Sequence, residues 1–152
     1  RPPILYPDRL SSQLLARVPF DHVAVPSGHP LADHEVVYAT DLDGQPVLLV
    51  ERDDAPTYHD STLAYCASLD VRPAYVVHPA AQVERMLDMV AVGSGIGWLN
   101  AWQAGHVTRE GVAIRPLRPV ERFDEFHLVW RVDDDSKAVK QFIEIATEAA
   151  TQ

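Results

Sequence analysis

The sequence predicts an α/β fold, and three stretches carry that expectation. Val83, Met86, Leu87 and Val90 recur at i, i+3, i+4, i+7, which places an apolar stripe on one side of a helix. A glycine-rich turn and a short apolar run follow at once, so helix, turn and strand make one αβ crossover. Pro46–Val50 is a continuous apolar run of the length expected for a fully buried strand, with a polar segment and a second helical stretch behind it.

Composition narrows the class. The chain has 152 residues, 47% of them hydrophobic, as in an ordinary globular protein. No run approaches the roughly 20 apolar residues of a membrane span. Arg1–Leu10 lacks the apolar core and small-residue cleavage site of a signal peptide. The chain does not start with methionine, so Arg1 is read as a boundary rather than a natural start. A single cysteine, Cys66, excludes an internal disulfide and agrees with a reducing compartment. Acidic residues outnumber basic ones by 22 to 13, a formal charge of -9, which argues against this piece holding DNA by itself.

Taken in order, residues 1–19 form an extended lead-in with little periodicity. Phe20–Val25 is rich in strand formers and is expected to be a strand ending at Pro26. Ser27–Ala32 is a turn leading into a short surface segment, and Asp41–Gly44 is a turn or single helical turn before the buried strand Pro46–Val50. The polar segment Glu51–Tyr58 then follows the C-terminal end of that strand, where ligands tend to sit in open α/β sheets. Asp60 or Ser61 is expected to cap a helix running to about Leu69, with Leu63, Ala64 and Ala67 on its inner side. Tyr75–Val77 is a short strand, and Pro79 fits the first position of the following helix.

Gly93, Ser94, Gly95 and Gly97 end that helix, and Ile96, Trp98 and Leu99 form the next strand. Residues 100–110 are short turns, and Val112–Leu117 is a strand. Phe126–Arg131 makes a last strand, after which Asp135 or Ser136 caps a helix with Val139, Phe142, Ile143 and Ala146 as its apolar stripe. This strand–helix tail is too small to hide its apolar face alone.

The candidate chemistry is sparse. Seven histidines are scattered without the HxxxH or HExxH spacing that puts two ligands on one helical face, so no metal or cofactor site is expected. Cys66 lies among small and apolar helical neighbours and reads as a buried structural thiol. His59-Asp60-Ser61 holds triad residue types, but consecutive side chains at a helix start point apart. Asp133–Asp135 is a solvated turn at a helix N-terminus. Gly93–Gly97 follows a helix, the reverse of the dinucleotide fingerprint, and lacks the Lys-Ser/Thr of a phosphate loop; a structural turn and a ligand-lining loop both remain open. Thr57 also reads two ways, as a helix cap or as a receptor for a small anion beside free backbone N–H groups. No catalytic residue emerges.

Several segments in order give the chain a recognisable pattern. They are Phe20–Ala32 with its Gly28-His29-Pro30-Leu31-Ala32 turn, Asp41–Pro46 leading into the buried strand, and Val90–Gly97; the ending Leu128–Arg131 through Phe142-Ile143 completes them. Across about residues 20–146 this resembles the effector-binding domain of LysR-type transcriptional regulators. The resemblance implies a type 2 periplasmic-binding-protein-like α/β fold of two subdomains joined by crossing strands, with a small effector in the cleft. On that template residues 1–19 are a lead-in from the first subdomain. Residues 20–115 are the effector-binding second subdomain. Residues 116–152 are the crossover and the returning strand and helix of the first. The early first subdomain and the N-terminal helix-turn-helix are expected outside this chain.

The resemblance places effector contacts on Glu51, Arg52, Pro56, Thr57 and Tyr58, and on Ser94, Gly95 and Ile96 near the glycine loop. Asn100 stands where the family usually has a proline. Glu51, Asp53 and Asp54 put negative charge on the loop, which disfavours an anionic effector unless Arg52 offsets it. The implied protein is a cytoplasmic, non-enzymatic homodimer that senses a small molecule, a small acid among the candidates, and reaches DNA only through a separate N-terminal domain. A solute-binding protein on the same architecture, a small-molecule enzyme using the cleft and a pure protein-contact domain are the rival readings.

Overall fold

A computed structural model describes residues 8–79 and 82–151. The first part of the lead-in, residues 1–7, lies outside the described residues. The rest of it forms β1 (Leu10–Pro19), which pairs with a strand near the C-terminus. In order follow β2 (His22–Pro26), β3 (Val37–Tyr38), β4 (Pro46–Val50), α1 (Pro56–Ser68), β5 (Ala74–His78), α2 (Val83–Ala91), β6 (Gly97–Leu99), α3 (Ala101–His106), β7 (Val112–Arg118), β8 (Phe123–Arg131) and α4 (Lys137–Ala150). Single 3-10 turns at Pro30–Asp33 and Ala39–Leu42 flank β3. The chain divides into two compact units, Pro19–Arg122 and Arg1–Val18 with Phe123–Gln152.

Within Pro19–Arg122, β3, β7, β2 and β6 lie side by side in that order, and β4 pairs with β5 in parallel. A parallel bridge between Val47 and Ile96, just before β6, joins the two sets. Its bonds run from Ile96 N–H to the Pro46 carbonyl and from Leu48 N–H to the Ile96 carbonyl, both 2.8 Å. Strand alternation then sorts side chains to the two faces. Val23, Val25, Val47, Ile96 and Trp98 enter one core cluster, which α1 covers with Tyr65 and Cys66. Ala24, Leu48 and Leu99 enter the other, beneath Met86, Leu87 and Val90 of α2.

The α2 stripe is as expected, but the helix begins at Val83 after Gln82, so Pro79 is not its first residue. Its end is a Schellman motif, in which Gly93 at φ 81° sends its N–H to Val90 and Ser94 sends its own to Met89, each at 2.9 Å. The first core helix departs further. It starts at Pro56, a residue preorganised for the first turn, rather than after Asp60 or Ser61. Its inner side is Thr62, Tyr65 and Cys66, while Leu63, Ala64 and Ala67 face outward. Polar Thr62 hides this face from a search for hydrophobic periodicity; its hydroxyl is satisfied by donating to the Tyr58 carbonyl at 2.8 Å.

The expected turns of 100–110 contain α3 instead. Asn100 Oδ1 accepts from Gln103 N–H at 2.8 Å, and Gln103 Oε1 accepts from Asn100 N–H at 3.0 Å, a reciprocal cap. In the other unit, Ser136 caps α4, accepting from Val139 N–H. Gln13 of β1 donates to Thr147 of α4 at 3.0 Å. No helix among the described residues is long and apolar enough to cross a membrane.

Candidate functional site

The C-terminal end of β4 gathers the first group of expected site residues. The backbone leaves the sheet at Glu51, whose N–H donates to the His78 carbonyl at 2.9 Å. Asp54 and Ala55 N–H both return to the Glu51 carbonyl, closing a turn that delivers the chain to Pro56. Glu51, Arg52, Pro56 and Thr57 are exposed, and Tyr58 is half-buried. Ala55 precedes the helix and makes no side-chain capping bond, and Pro56 at the first position has no N–H to satisfy. Thr57 therefore lies inside the first turn, not before it, and is not the cap.

Arg52 pairs chiefly with Asp60 and only secondarily with Asp53 of the acidic loop. Its Nε and Nη2 donate to the two carboxylate oxygens of Asp60, each at 2.9 Å. The guanidinium hydrogen bond holds the Asp60 carboxyl below its ordinary range, and Asp60 in turn raises Arg52. Arg52 is committed to the outer side of α1.

The second group lies elsewhere. Ile96 N–H bonds to the Pro46 carbonyl, so Ser94, Gly95 and Ile96 sit at the N-terminal end of β4. Four strand steps at about 3.3 Å separate them from Glu51, on the order of 13 Å. Ile96 is buried in the core. A Cβ on Gly95 would stand 3.1 Å from both Leu48 Cδ2 and the Pro46 oxygen, so the glycine is there to let two backbones close. Thus the structure does not bring Ser94, Gly95 and Ile96 to Glu51–Tyr58.

What meets Tyr58 at the end of this loop is Phe20, between β1 and β2, and Arg122 in the segment after β7, with Trp98 of β6 beside Arg122. Arg122, passed over in the sequence, is the centre of this group. It is only 5% exposed. Its Nε donates to Ser61 Oγ at 3.1 Å, and its Nη2 to the Tyr58 carbonyl at 3.4 Å. The guanidinium carbon lies 4.0 Å from the Phe20 ring centre, 4.3 Å from Tyr58 and 5.8 Å from Trp98. Three aromatic faces around one cation stabilise a charge that burial would otherwise penalise. Tyr65 meets Trp98 edge to face at 5.9 Å and donates its hydroxyl to the Pro119 carbonyl at 2.8 Å. Among the described residues, neither Arg122 Nη1 nor Trp98 Nε1 finds an acceptor, although both atoms are buried. No local motif marks Arg122, since its partners come from residues 20, 58, 61 and 98.

The remaining reactive side chains disperse. His59 bonds the Val50 carbonyl through Nδ1 at 2.7 Å, Asp60 holds Arg52, and Ser61 donates to the Tyr58 carbonyl. Burial pushes the Cys66 thiol up, the opposite of an activated nucleophile. Among the described residues, no three His, Cys, Asp or Glu side chains are placed to share a metal ion.

A family model described as the LysR substrate binding domain matches residues 1–151. The HTH-type transcriptional regulator AlsR of Bacillus subtilis (strain 168) is 24% identical over 124 residues, 82% of this chain and 40% of that protein. The chain thus spans less than half the length of that relative. Among solved structures, the BenM effector binding domain with its effector benzoate superposes with a TM-score of 0.72 at 19% identity, covering 93% of this chain and 64% of that one. CbnR, a LysR family transcriptional regulator, gives 0.77 at 13% identity, covering 94% and 48%. The architecture is the type 2 periplasmic-binding-like α/β fold of these domains.

Proposed function

We propose, from a chain that belongs to the LysR substrate binding domain family, that it is the effector-sensing part of a bacterial LysR-type transcriptional regulator. The match of that family across residues 1–151 carries the reading. The domain works by binding a small molecule rather than by catalysis. A ligand that favours one arrangement of the domain shifts the population toward it and alters how DNA-binding domains are presented. Those domains are a separate N-terminal helix-turn-helix, in keeping with the formal charge of -9 here. The regulator is a cytoplasmic homodimer.

The Glu51–Tyr58 loop, the first turn of α1 and the Arg122 cluster form one wall of the effector site. Supporting this is the convergence of Phe20, Tyr58, Trp98 and Arg122 at the C-terminal end of β4. A thermal-shift screen of small acids, amino acids and aromatic metabolites tests the reading. A true effector raises the melting temperature progressively with concentration. The gene region upstream of Arg1 should encode a basic helix-turn-helix, and a complete gene product without one would sink the regulator assignment.

A further inference from the structure

We infer that His29 is an acid-sensitive latch, holding the turn Pro30–Asp33 to the entry of β4 only while its ring is neutral. The inference is independent of the effector reading and rests on the direction of one hydrogen bond. His29 Nδ1 accepts from the Leu31 N–H at 3.1 Å and so caps the turn. A ring nitrogen that accepts carries no proton, so the neutral ring keeps its single hydrogen on Nε2. That hydrogen is donated to Gln45 Oε1 at 3.1 Å. Among the described residues, the ring bonds of His22, His59, His78, His106 and His127 all run to oxygen atoms. Those bonds survive a second ring proton, because an imidazolium donates from both nitrogens. The His29 cap does not, because a proton on Nδ1 sets two N–H groups against each other.

What the latch joins gives it reach. Leu31 and Ala32 are buried and belong to the core cluster of Val47, Ile96 and Trp98. Gln45 stands just before β4, and its carbonyl accepts from the Ala74 N–H at 2.8 Å, where β5 begins. The next carbonyl, that of Pro46, holds Ile96. Release of His29 therefore loosens the N-terminal end of β4, where the glycine loop joins the sheet. No carboxylate pairs with His29 among the described residues. β2 and β7 pack against the turn. Their titratable or charged side chains are His22, beside Asp21, and Arg115 and Arg118, which donate to main-chain carbonyls. Exposed Asp33 and His34 close the turn itself, and Asp43 ahead of Gln45 accepts from the Arg72 N–H. Arg115 holds the Ala32 carbonyl at 2.9 Å, so the turn stays moored to β7 when His29 lets go. The response is a local loosening rather than global unfolding.

Nuclear magnetic resonance on the parent chain reads the latch directly. At about pH 8, His29 Nδ1 should be the unprotonated ring nitrogen, coupled through the hydrogen bond to the Leu31 amide nitrogen. By about pH 5 that coupling should vanish, and Leu31 amide exchange should gain about tenfold relative to its intrinsic rate. His29→Asn supplies a cap oxygen that does not titrate, so its Leu31 exchange should show no such gain. A proton on Nδ1 at about pH 8 overturns the latch, as does a ring that takes no second proton down to about pH 5. It is overturned equally if the Leu31 coupling outlasts ring protonation, or if His29→Asn shows the same gain on acidification. All but the last of these outcomes are read on the parent alone, so they stand even where the variant fails to fold. None of them touches the effector-binding function, which stands or falls on the ligand screen.

Discussion

Every buried residue among those described, from Phe20 to Arg122, belongs to Pro19–Arg122; the other unit, Arg1–Val18 with Phe123–Gln152, has none. Yet both units have well-formed elements. In the second, β1 pairs with β8, and α4 carries a Ser136 cap and the amphipathic spacing expected of it. Val139, Ile143 and Ala146 of its stripe are only half-buried, and Phe142 and Ile145 meet water, 61% and 65% exposed. Local pattern therefore specifies a helix without specifying what covers it, since spacing and caps act within one segment while burial needs a second surface.

The largest expected effect is a direct contrast between the units. Leu99→Ala removes a fully buried side chain beneath α2. By analogy with other core truncations it should cost about 2–5 kcal/mol in denaturant unfolding. Ile145→Ala, on α4, should stay within about 0.5 kcal/mol of the parent. A cost for Ile145→Ala near that of Leu99→Ala would break the comparison, because it would mean that the α4 face is covered in solution.

A tighter probe of the packed unit is Gly97→Ala. A methyl group there would run into the Met86 Sδ, with Met86 Cε and Cγ close behind. Overpacking of this kind should cost about 1–3 kcal/mol. Met86→Ala clears the space, so the double variant should be less destabilised than the sum of the two singles, and strict additivity would show that Met86 is not the obstacle. A smaller effect is expected of Asn100→Ala, which breaks the reciprocal cap of α3 and should cost about 1 kcal/mol.

That cap shows where the sequence was legible and where it was read short. Asn100 followed by Gln103 has the spacing of a capping box, a strictly local signal, and it could have exposed α3. The α2 stripe, the strand Pro46–Val50 and the glycine end of α2 were all local patterns too, and each is present. The inner face of α1 was not legible by hydrophobicity, because Thr62 is buried there by donating to its own helix. For the site, the loop after β4 could be located from sequence order alone. The placement of Ser94–Ile96 could not, because the parallel bridge of Val47 to Ile96 decides which end of the strand each residue joins. Arg122 was invisible for a related reason: its aromatic and hydroxyl partners span residues 20 to 98.

The smallest effects sharpen the contrast through pH. In the packed unit, burial first of all pushes the Tyr65 phenol up to about 12, and burial likewise raises Tyr75. Both folded values lie above the ordinary value of 10.0. Stability from the neutral phenols is therefore complete below about pH 10 and lost as pH rises toward 12. In the other unit the shifted carboxyls are exposed Glu125 and Asp133 and half-buried Asp134, each lowered chiefly by a side-chain hydrogen bond, from His127, Arg131 and Ser136 respectively. Their contribution has the opposite sign, present above the ordinary carboxylate range and lost as pH falls through the depressed values. Tyr65→Phe separates the two. It should cost about 1 kcal/mol at neutral pH through the lost bond to Pro119. It should also flatten part of the decline above pH 10, while the acid limb stays as it was. An unchanged alkaline limb in Tyr65→Phe would mean that the Tyr65 phenol is not held neutral by burial, and the packed unit would lose one of its two marks of a dry interior.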